Sequence, residues 1–387
     1  MIGTDSPTLG VVGGGQLGRM LAEAAAPLGI ETVVSDPTPD PPAAPVASGV
    51  VEGGFGDPET IRAVAERADY LTFEIELVDP DALEAVREET GVPVHPDPEI
   101  LRTIQDKLIQ KRRLEEADVP VPPFRAVDDR SDLEAAIDDF GYPVMLKART
   151  GGYDGRGNFP INGPDDVGEA LEAAPGAMLV EQMVDFDREL SVIAVQGNGE
   201  VTTFPTGENV HEHEILRQTI VPARASEATR ERAQAVARDV LGEMQGRGAY
   251  GIELFEDDGE ILVNEIAPRV HNSGHYTIEG AVTSQFAQHV CAVIGYPLGS
   301  TDLRDPVVMS NVLGDVEEPR PANLLGAESV METPGANLHW YGKREVRPLR
   351  KMGHVTLVPT DENDGAGADR EDLLATARGL TDSLTFE

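Results

Sequence analysis

Tyr250-Gly251-Ile252-Glu253-Leu254-Phe255 and Ile261-Leu262-Val263-Asn264-Glu265-Ile266-Ala267-Pro268-Arg269-Val270-His271-Asn272-Ser273-Gly274-His275 are two apolar runs joined across Asp258-Gly259, a dipeptide that favours a tight hairpin turn. The pattern predicts two antiparallel strands, Tyr250 to Phe255 and Ile261 to Ile266, with Glu253 and Glu265 facing each other. Apolar neighbours flank both glutamates, so the pair is expected to be partly buried, a costly state for two like charges unless a cation joins them. Hard carboxylate oxygens on rigid strands, with phosphate oxygens filling further positions, suit octahedral Mg²⁺. The bland alternative is two glutamates on a solvated sheet face. Pro268 to His275 adds a dense set of donors for anionic groups. His271 and His275 stand at helical spacing for zinc, but no cysteine or third ligand accompanies them.

Around this hairpin lie 387 residues, enough for two or three domains. Against 31 basic residues stand 69 acidic ones, a net charge of −38, which argues against general nucleic-acid binding. The 40 % hydrophobic content supplies cores for ordered domains. One cysteine, Cys291, cannot form an internal disulfide, no leader opens the chain, and no apolar run reaches the roughly 18 residues of a membrane span. A cytoplasmic location without membrane contact is expected. Only five of the basic residues are lysines, at 107, 111, 147, 343 and 351. Dense carboxylate with scarce lysine fits a halophilic cytoplasm, where salt screens self-repulsion; an ordinary acidic protein is the alternative. Each surviving lysine then invites the question of what it contacts.

The chain divides near residues 98 and 298. Residues 1–98 read as β-turn-α-β alternation: a strand Leu9 to Val12, a helix Gln16 to about Leu28, a strand Glu31 to Ser35, a proline-rich loop, a helix Pro58 to Arg67, a strand Tyr70 to Phe73 and a helix near Pro80 to Glu89. Residues 99–298 begin with one long polar helix through Lys107 and Lys111 and continue as an α+β unit, with strands such as Val144 to Lys147, Met178 to Gln182 and Leu190 to Val195. Residues 299–387 read as a small β-rich unit with a late helix, Glu371 to Leu380.

Two glycine motifs carry chemistry. Gly13-Gly14-Gly15-Gln16-Leu17-Gly18 follows a strand and opens a helix, and Asp36 ends the next strand, so by spacing this is a dinucleotide fingerprint. An anion site is supported, its anion left open; a nicotinamide or flavin oxidoreductase is one reading, glycines serving a tight turn another. Lys147 closes a strand before Thr150-Gly151-Gly152-Tyr153-Asp154-Gly155-Arg156-Gly157, a glycine-rich flap that could cover nucleotide phosphates. Glu181-Gln182-Met183-Val184 ends a strand and could present backbone to an adenine edge, with Glu189 placed for ribose hydroxyls.

Together, Gly13 to Met20, Thr150 to Asn158, Asn264 to His275 and His339-Trp340-Tyr341-Gly342-Lys343 resemble the N5-carboxyaminoimidazole ribonucleotide synthases, ATP-grasp carboxylases of purine biosynthesis. The likeness runs from about Leu9 to His354. It implies an ATP-grasp fold of mixed α/β and α+β class, with an N-terminal biotin-carboxylase-like, Rossmann-like domain and a small C-terminal β-rich domain. It also implies a homodimer that turns ATP, bicarbonate and 5-aminoimidazole ribonucleotide into the N5-carboxylated nucleotide, ADP and phosphate through carboxyphosphate. The first glycine loop would then serve the ribonucleotide, which removes the main support of the oxidoreductase reading.

By the same resemblance Lys107 and Lys147 would contact ATP under the loop Gly152, Tyr153, Asp154, Gly155, Arg156, Gly157 and Asn158. Glu181, Gln182, Met183 and Val184 would line the adenine pocket, Glu189 would bind ribose, and His211 and Asn264 would complete the nucleotide site. Glu253 and Glu265 would bind Mg²⁺. Arg269 and His271, with Lys147, would be catalytic. Asn272, Ser273, Tyr153 and Arg156 would meet the substrate, whose phosphate falls to Lys343, Arg350 and Lys351 with Gln16 and Leu17, and whose ribose falls to Glu74. Two departures stand out: Leu349 where the family usually has glycine, and Leu77 where it commonly has asparagine. An ATP-grasp enzyme carrying formate to another purine precursor, and an inactive nucleotide-binding regulator, are the competing readings.

Overall fold

Four parallel strands open the chain in the computed structural model, which describes residues 6–151, 157–174, 176–244, 246–360 and 369–387. Their order is Gly49–Glu52, Glu31–Asp36, Thr8–Val12, Tyr70–Phe73; the first of these strands in space is absent from the sequence expectation because its side chains are only half-buried. One face of the sheet packs Phe73 and Leu71 against Ile61, Val64, Leu83 and Val86 of helices Pro58–Ala65 and Pro80–Thr90. The other packs Leu9 and Val11 against Leu17 and Leu21 of helix Gln16–Ala25, and beyond them Phe286 and Val290 of helix Gln285–Ile294. The N-terminal unit therefore shares a core with the middle of the chain.

Some of the carboxylates cap helices. Helices begin at Asp57-Pro58, Asp79-Pro80 and Asp97-Pro98, each aspartate accepting from first-turn amides, the arrangement in which the proline loses no hydrogen bond and the carboxylate meets the positive helix end. The long polar helix expected through Lys107 and Lys111 is two helices, Pro98–Gln105 and Lys107–Glu116. Asp106 makes the break: extended in backbone, it caps the second helix through Leu108 and Ile109 N–H and takes the Arg149 guanidinium at 2.5 and 3.1 Å. A polar helix surface gives no sequence mark of such a break, because the aspartate reads equally well as an exposed helix residue.

Next comes a four-stranded antiparallel sheet in the order Phe124–Val127, Met178–Gln182, Val144–Ala148, Asn158–Ile161. Facing it is the largest sheet, nine-stranded among the described residues: Glu260–Ala267, Gly248–Asp257, Arg188–Gly197, Gly207–Glu212, Ile215–Val221, Val307–Leu313, Lys351–Leu357 and Ala336–Trp340, with Glu200–Thr203 paired to the side of Arg188–Gly197. The C-terminal β-rich unit thus contributes three strands to the central sheet, and helix Arg370–Asp382 seals Leu373, Leu374 and Ala377 over Val308 and Leu357. The hairpin Gly248–Asp257/Glu260–Ala267 turns as expected, with both Asp258 and Gly259 at positive φ, the backbone of a type I′ turn.

Candidate active site

Glu253 and Glu265 are direct cross-strand partners, and the next pair is Leu254 with Val263, so Asn264 is the extra residue of a β-bulge. A bulge re-aims side chains; this one brings Asn264 to the same cavity as both glutamates. Like charges directly opposed on strands are unfavourable; of the expected partly buried pair only Glu253 is so, its side chain 22 % exposed, whereas that of Glu265 is 54 % exposed toward the open cavity. Burial, then the neighbouring Glu265 charge, pushes the Glu253 carboxyl up to about 7. For Glu265 burial acts in the same direction, but Lys107 and Lys147 outweigh it and hold the carboxyl below its usual range. The pair is an all-oxygen donor set short of positive charge, which fits a hard divalent cation. Among the described residues no three His, Cys, Asp or Glu side chains cluster to hold a metal alone, so such an ion needs ligand oxygens from a bound molecule. The zinc alternative fails on geometry: His271 lines the cavity, whereas His275 is fully buried against Phe286 and His354.

The cavity, about 540 Å³, lies between the four-stranded sheet and the large one. Lys107, Lys147, Asn158, Glu181, Gln182, Met183, Val184, Glu189, His211, Glu253, Asn264, Glu265, Arg269, His271, Asn272 and Lys351 all line it, so residues read from six separate stretches converge. Met183, Val184, Met145 and Phe186 give one end an apolar lining, and Phe186 stacks on Phe255 at 4.7 Å. At this end His211 Nδ1 meets Glu189 Oε2 at 2.5 Å; burial opposes the imidazolium, and Glu189 outweighs it, raising its pKa. Cations line the same cavity. Lys107 Nζ is 3.4 Å from Glu265 and Lys147 Nζ donates to Glu181 at 2.8 Å. His271, its Nδ1 against Ser273 Oγ at 2.9 Å and its Nε2 3.6 Å from Glu253, is held uncharged by burial and by Arg269.

Behind Lys351 stands a second group of charged residues. Lys343 Nζ donates to the Lys351 carbonyl at 2.7 Å and sits over the Tyr341 ring. Burial, then Arg350, pushes its pKa down to about 7. Arg350 donates to the Glu345 carbonyl at 2.8 Å. Within the Coulomb field of Lys343 stands Glu74, which resolves the question left by the first glycine motif. Its carboxylate accepts from Gly15 N–H at 2.5 Å and Gly18 N–H at 2.7 Å. A Cβ on Gly13 would fall 2.3 Å from the Glu74 side chain and one on Gly15 2.7 Å from it. The anion of this glycine loop is the chain's own Glu74, and a dinucleotide pyrophosphate has no room on those amides. The first-turn amides of Gln16 and Leu17 still lack intrahelical acceptors, while the Leu17 side chain is packed in the core.

Matches to family models follow the same three parts: a ribonucleotide synthetase preATP-grasp domain over residues 7–105, an ATP-grasp domain over 112–286 and a phosphoribosylaminoimidazole carboxylase C-terminal domain over 307–366. The chain is 40 % identical to N5-carboxyaminoimidazole ribonucleotide synthase of Bacillus subtilis over 92 % of either protein. The chain belongs to the N5-carboxyaminoimidazole ribonucleotide synthase family. Among solved members, the enzyme of Thermus thermophilus superposes with a TM-score of 0.86 at 40 % identity, over 98 % of this chain and 99 % of that one. The Aspergillus clavatus synthase, described in complex with ADP and 5-aminoimidazole ribonucleotide, gives 0.88 at 38 % identity over 98 % and 99 %.

Within this synthase frame, several residues that sequence reading left out prove central. Glu76 holds Arg269 in a 2.8 Å ion pair. Asn311, on Val307–Leu313, exchanges both amide hydrogen bonds with Asn272 at 2.8 and 3.0 Å, so Asn272 is clamped at the cavity wall. Ser273 is fully buried and bonds His271 without lining the cavity. Lys111, the one lysine given no role, lies buried beneath Glu181. Gly152, Tyr153, Asp154, Gly155 and Arg156 lie outside the described residues. Leu349, in place of the usual glycine, keeps a left-handed backbone at φ 60, and Leu77 is an exposed residue at the cavity rim.

Proposed function

We propose that this chain carboxylates the exocyclic amine of 5-aminoimidazole ribonucleotide with bicarbonate at the expense of ATP. The reading is carried by the convergence of Lys107, Lys147, Glu253, Glu265 and Arg269 on one cavity, whose wall residue Lys351 accepts through its carbonyl from Lys343 near Glu74. ATP would lie with adenine at the apolar end beside Gln182 to Val184, its ribose on Glu189 and His211, its phosphates on Lys107 and Lys147. A bicarbonate oxygen attacks the γ-phosphorus and the bond to ADP breaks, giving carboxyphosphate. The amine nitrogen then bonds to its carbon, the carbon–oxygen bond to phosphate breaks, and the amine proton leaves with the phosphate.

Charge management is the task of the protein in such a transfer. Arg269 and Lys147 face the transferring and accepting oxygens, and uncharged His271 can donate to carboxyphosphate without competing for it. Mg²⁺ held by Glu253 and Glu265, with Asn264 beside them, would offset the triphosphate charge. Lys343, Arg350, Lys351 and the Gln16 and Leu17 amides would take the nucleotide phosphate, Glu74 its ribose, and Asn272 the acceptor side of the cavity wall, while Ser273, buried behind it, would hold His271 rather than meet the substrate. Carboxyphosphate is short-lived in water, so the glycine loop through Tyr153 and Arg156 would close over it.

The proposal includes a division at about residues 98 and 298, supported by the three family-model spans. It also includes a homodimer and a cytoplasmic enzyme in a salt-rich cell. The last rests on the charge of −38 and five lysines; among the described residues no helix is long and apolar enough to cross a membrane. The test is ADP release in high KCl with Mg-ATP and bicarbonate. Release that depends on 5-aminoimidazole ribonucleotide supports the reading. Release that ignores it and answers instead to formate with another purine precursor ends the acceptor assignment.

A further inference from the structure

In a chain that has discarded lysine almost everywhere, Lys111 is retained in helix Lys107–Glu116 with 1 % of its surface exposed. Its Nζ lies 3.1 Å from Glu181 Oε1, and the other oxygen of that carboxylate accepts from Lys147 Nζ at 2.8 Å. Glu181 is itself 2 % exposed. Burial acts to raise its carboxyl, and Lys111 and Lys147 together overcome this and keep it ionised. Helix, strand Met178–Gln182 and strand Val144–Ala148 therefore meet in a buried row of two ammonium groups around one carboxylate. Buried ionic clusters are poor sources of stability, since apolar replacements of like volume commonly do as well or better. A purely structural need does not explain why this lysine survives.

We propose that Lys111 is a positioning residue for the nucleotide site: by sharing Glu181 it leaves Lys147 both held in place and with its positive charge uncancelled toward the phosphates of ATP. This rests on the ATP-dependent reading above. Without Lys111 the row would be one ammonium against one carboxylate, a neutral pair with little attraction for a polyanion. With it the row carries one net positive charge, shielded by protein from the salt that screens surface charges. The 3.1 Å and 2.8 Å contacts carry the row from Lys111 to Lys147 and the cavity, so a phosphate oxygen hydrogen-bonded to Lys147 would lie roughly 10 Å from Lys111. One unit charge at that distance and an effective dielectric near 20 is worth about tenfold in affinity.

Calorimetry of the whole protein with ATP and, separately, with 5-aminoimidazole ribonucleotide, at one fixed KCl concentration, tests this. Lys111→Met is expected to raise the ATP Kd about tenfold while the ribonucleotide Kd stays within about twofold. Adding Glu181→Gln to it restores the net charge of the row and is expected to recover most of the ATP affinity, a rescue that a structural role would not produce. Lys111→Arg keeps the charge and should bind ATP nearly as the parent does. Lys111→Gln, should the methionine variant fail to fold, is expected to weaken ATP alone. Unchanged ATP binding on loss of the charge, parallel loss of both ligands, or no recovery in the double variant overturns the proposal. A parent protein that binds ATP but gives no ribonucleotide-dependent ADP release would instead sink the carboxylase reading and leave the Lys111 comparison standing.

Discussion

Raising the pH from 7 to 9 should weaken the affinity for 5-aminoimidazole ribonucleotide through one group, Lys343. Its ammonium is half-buried, lies near Arg350, and has its pKa pushed down to about 7. In the free protein about half of it is charged at pH 7 and about one part in a hundred at pH 9, so the charged, phosphate-competent population falls about fiftyfold, or about 2.3 kcal/mol. The ligand does not mask this, because a phosphate monoester with a second pKa near 6 is already mostly dianionic at pH 7. Bound phosphate restores the Lys343 charge, so the dependence belongs to the free enzyme and appears in KM for the ribonucleotide at saturating ATP. Lys343→Arg stays charged and should flatten the profile; Lys343→Met should flatten it at a uniformly weak level. A wild-type KM that changes less than about fivefold between pH 7 and 9, or an arginine variant that keeps the slope, would refute the reasoning.

Arg269→Ala is expected to lower kcat about a hundredfold or more while the ATP Kd changes little, if Arg269 acts on developing charge as proposed above; single-turnover kinetics against ATP calorimetry separates the two, and equal losses contradict the role. Leu349→Gly relieves a left-handed backbone at φ 60 worth about 1–2 kcal/mol, offset in part by the added freedom of glycine in the unfolded chain. A net gain of up to about 1 kcal/mol in urea unfolding should result, and a loss would show that the loop tolerates leucine without strain. Melting in molar KCl should exceed melting in dilute buffer, since a charge of −38 repels itself least where it is screened. The reverse order ends the salt-adapted reading.

Features that depend on local pattern were legible. The hairpin was written in two apolar runs around Asp258-Gly259, and its two glutamates come opposite each other through the bulge at Asn264, since unbroken pairing from the turn would have set Glu253 opposite Asn264. The scarcity of lysine led to the cavity, since all five lysines prove to line it or to stand just behind it. Features that depend on contacts far apart in sequence were not. Glu74 reaches back to Gly15 and Gly18, Glu76 crosses to Arg269, and Asn311 clamps Asn272; no spacing rule announces such partners. The break at Asp106 and the half-buried strand Gly49–Glu52 escaped because a polar helix surface and a weakly buried edge carry little periodic signal.

The strands that bear Glu253 and Lys351 are five inter-strand steps apart in the large sheet, a separation of about 24 Å if the sheet were flat, yet both residues line a single cavity. The sheet must be rolled, and its C-terminal strands are part of the wall. Acceptor recognition is consequently not a detachable cassette. Cutting the chain near residue 298 would bare the hydrogen-bonding edge of Ile215–Val221, where Val307–Leu313 now pairs, and offer it to other molecules as a template for aggregation. New acceptors are better sought by substitution within the wall than by exchange of the C-terminal third, and any drift in the roll of the sheet would change the reach between nucleotide and acceptor in the same stroke.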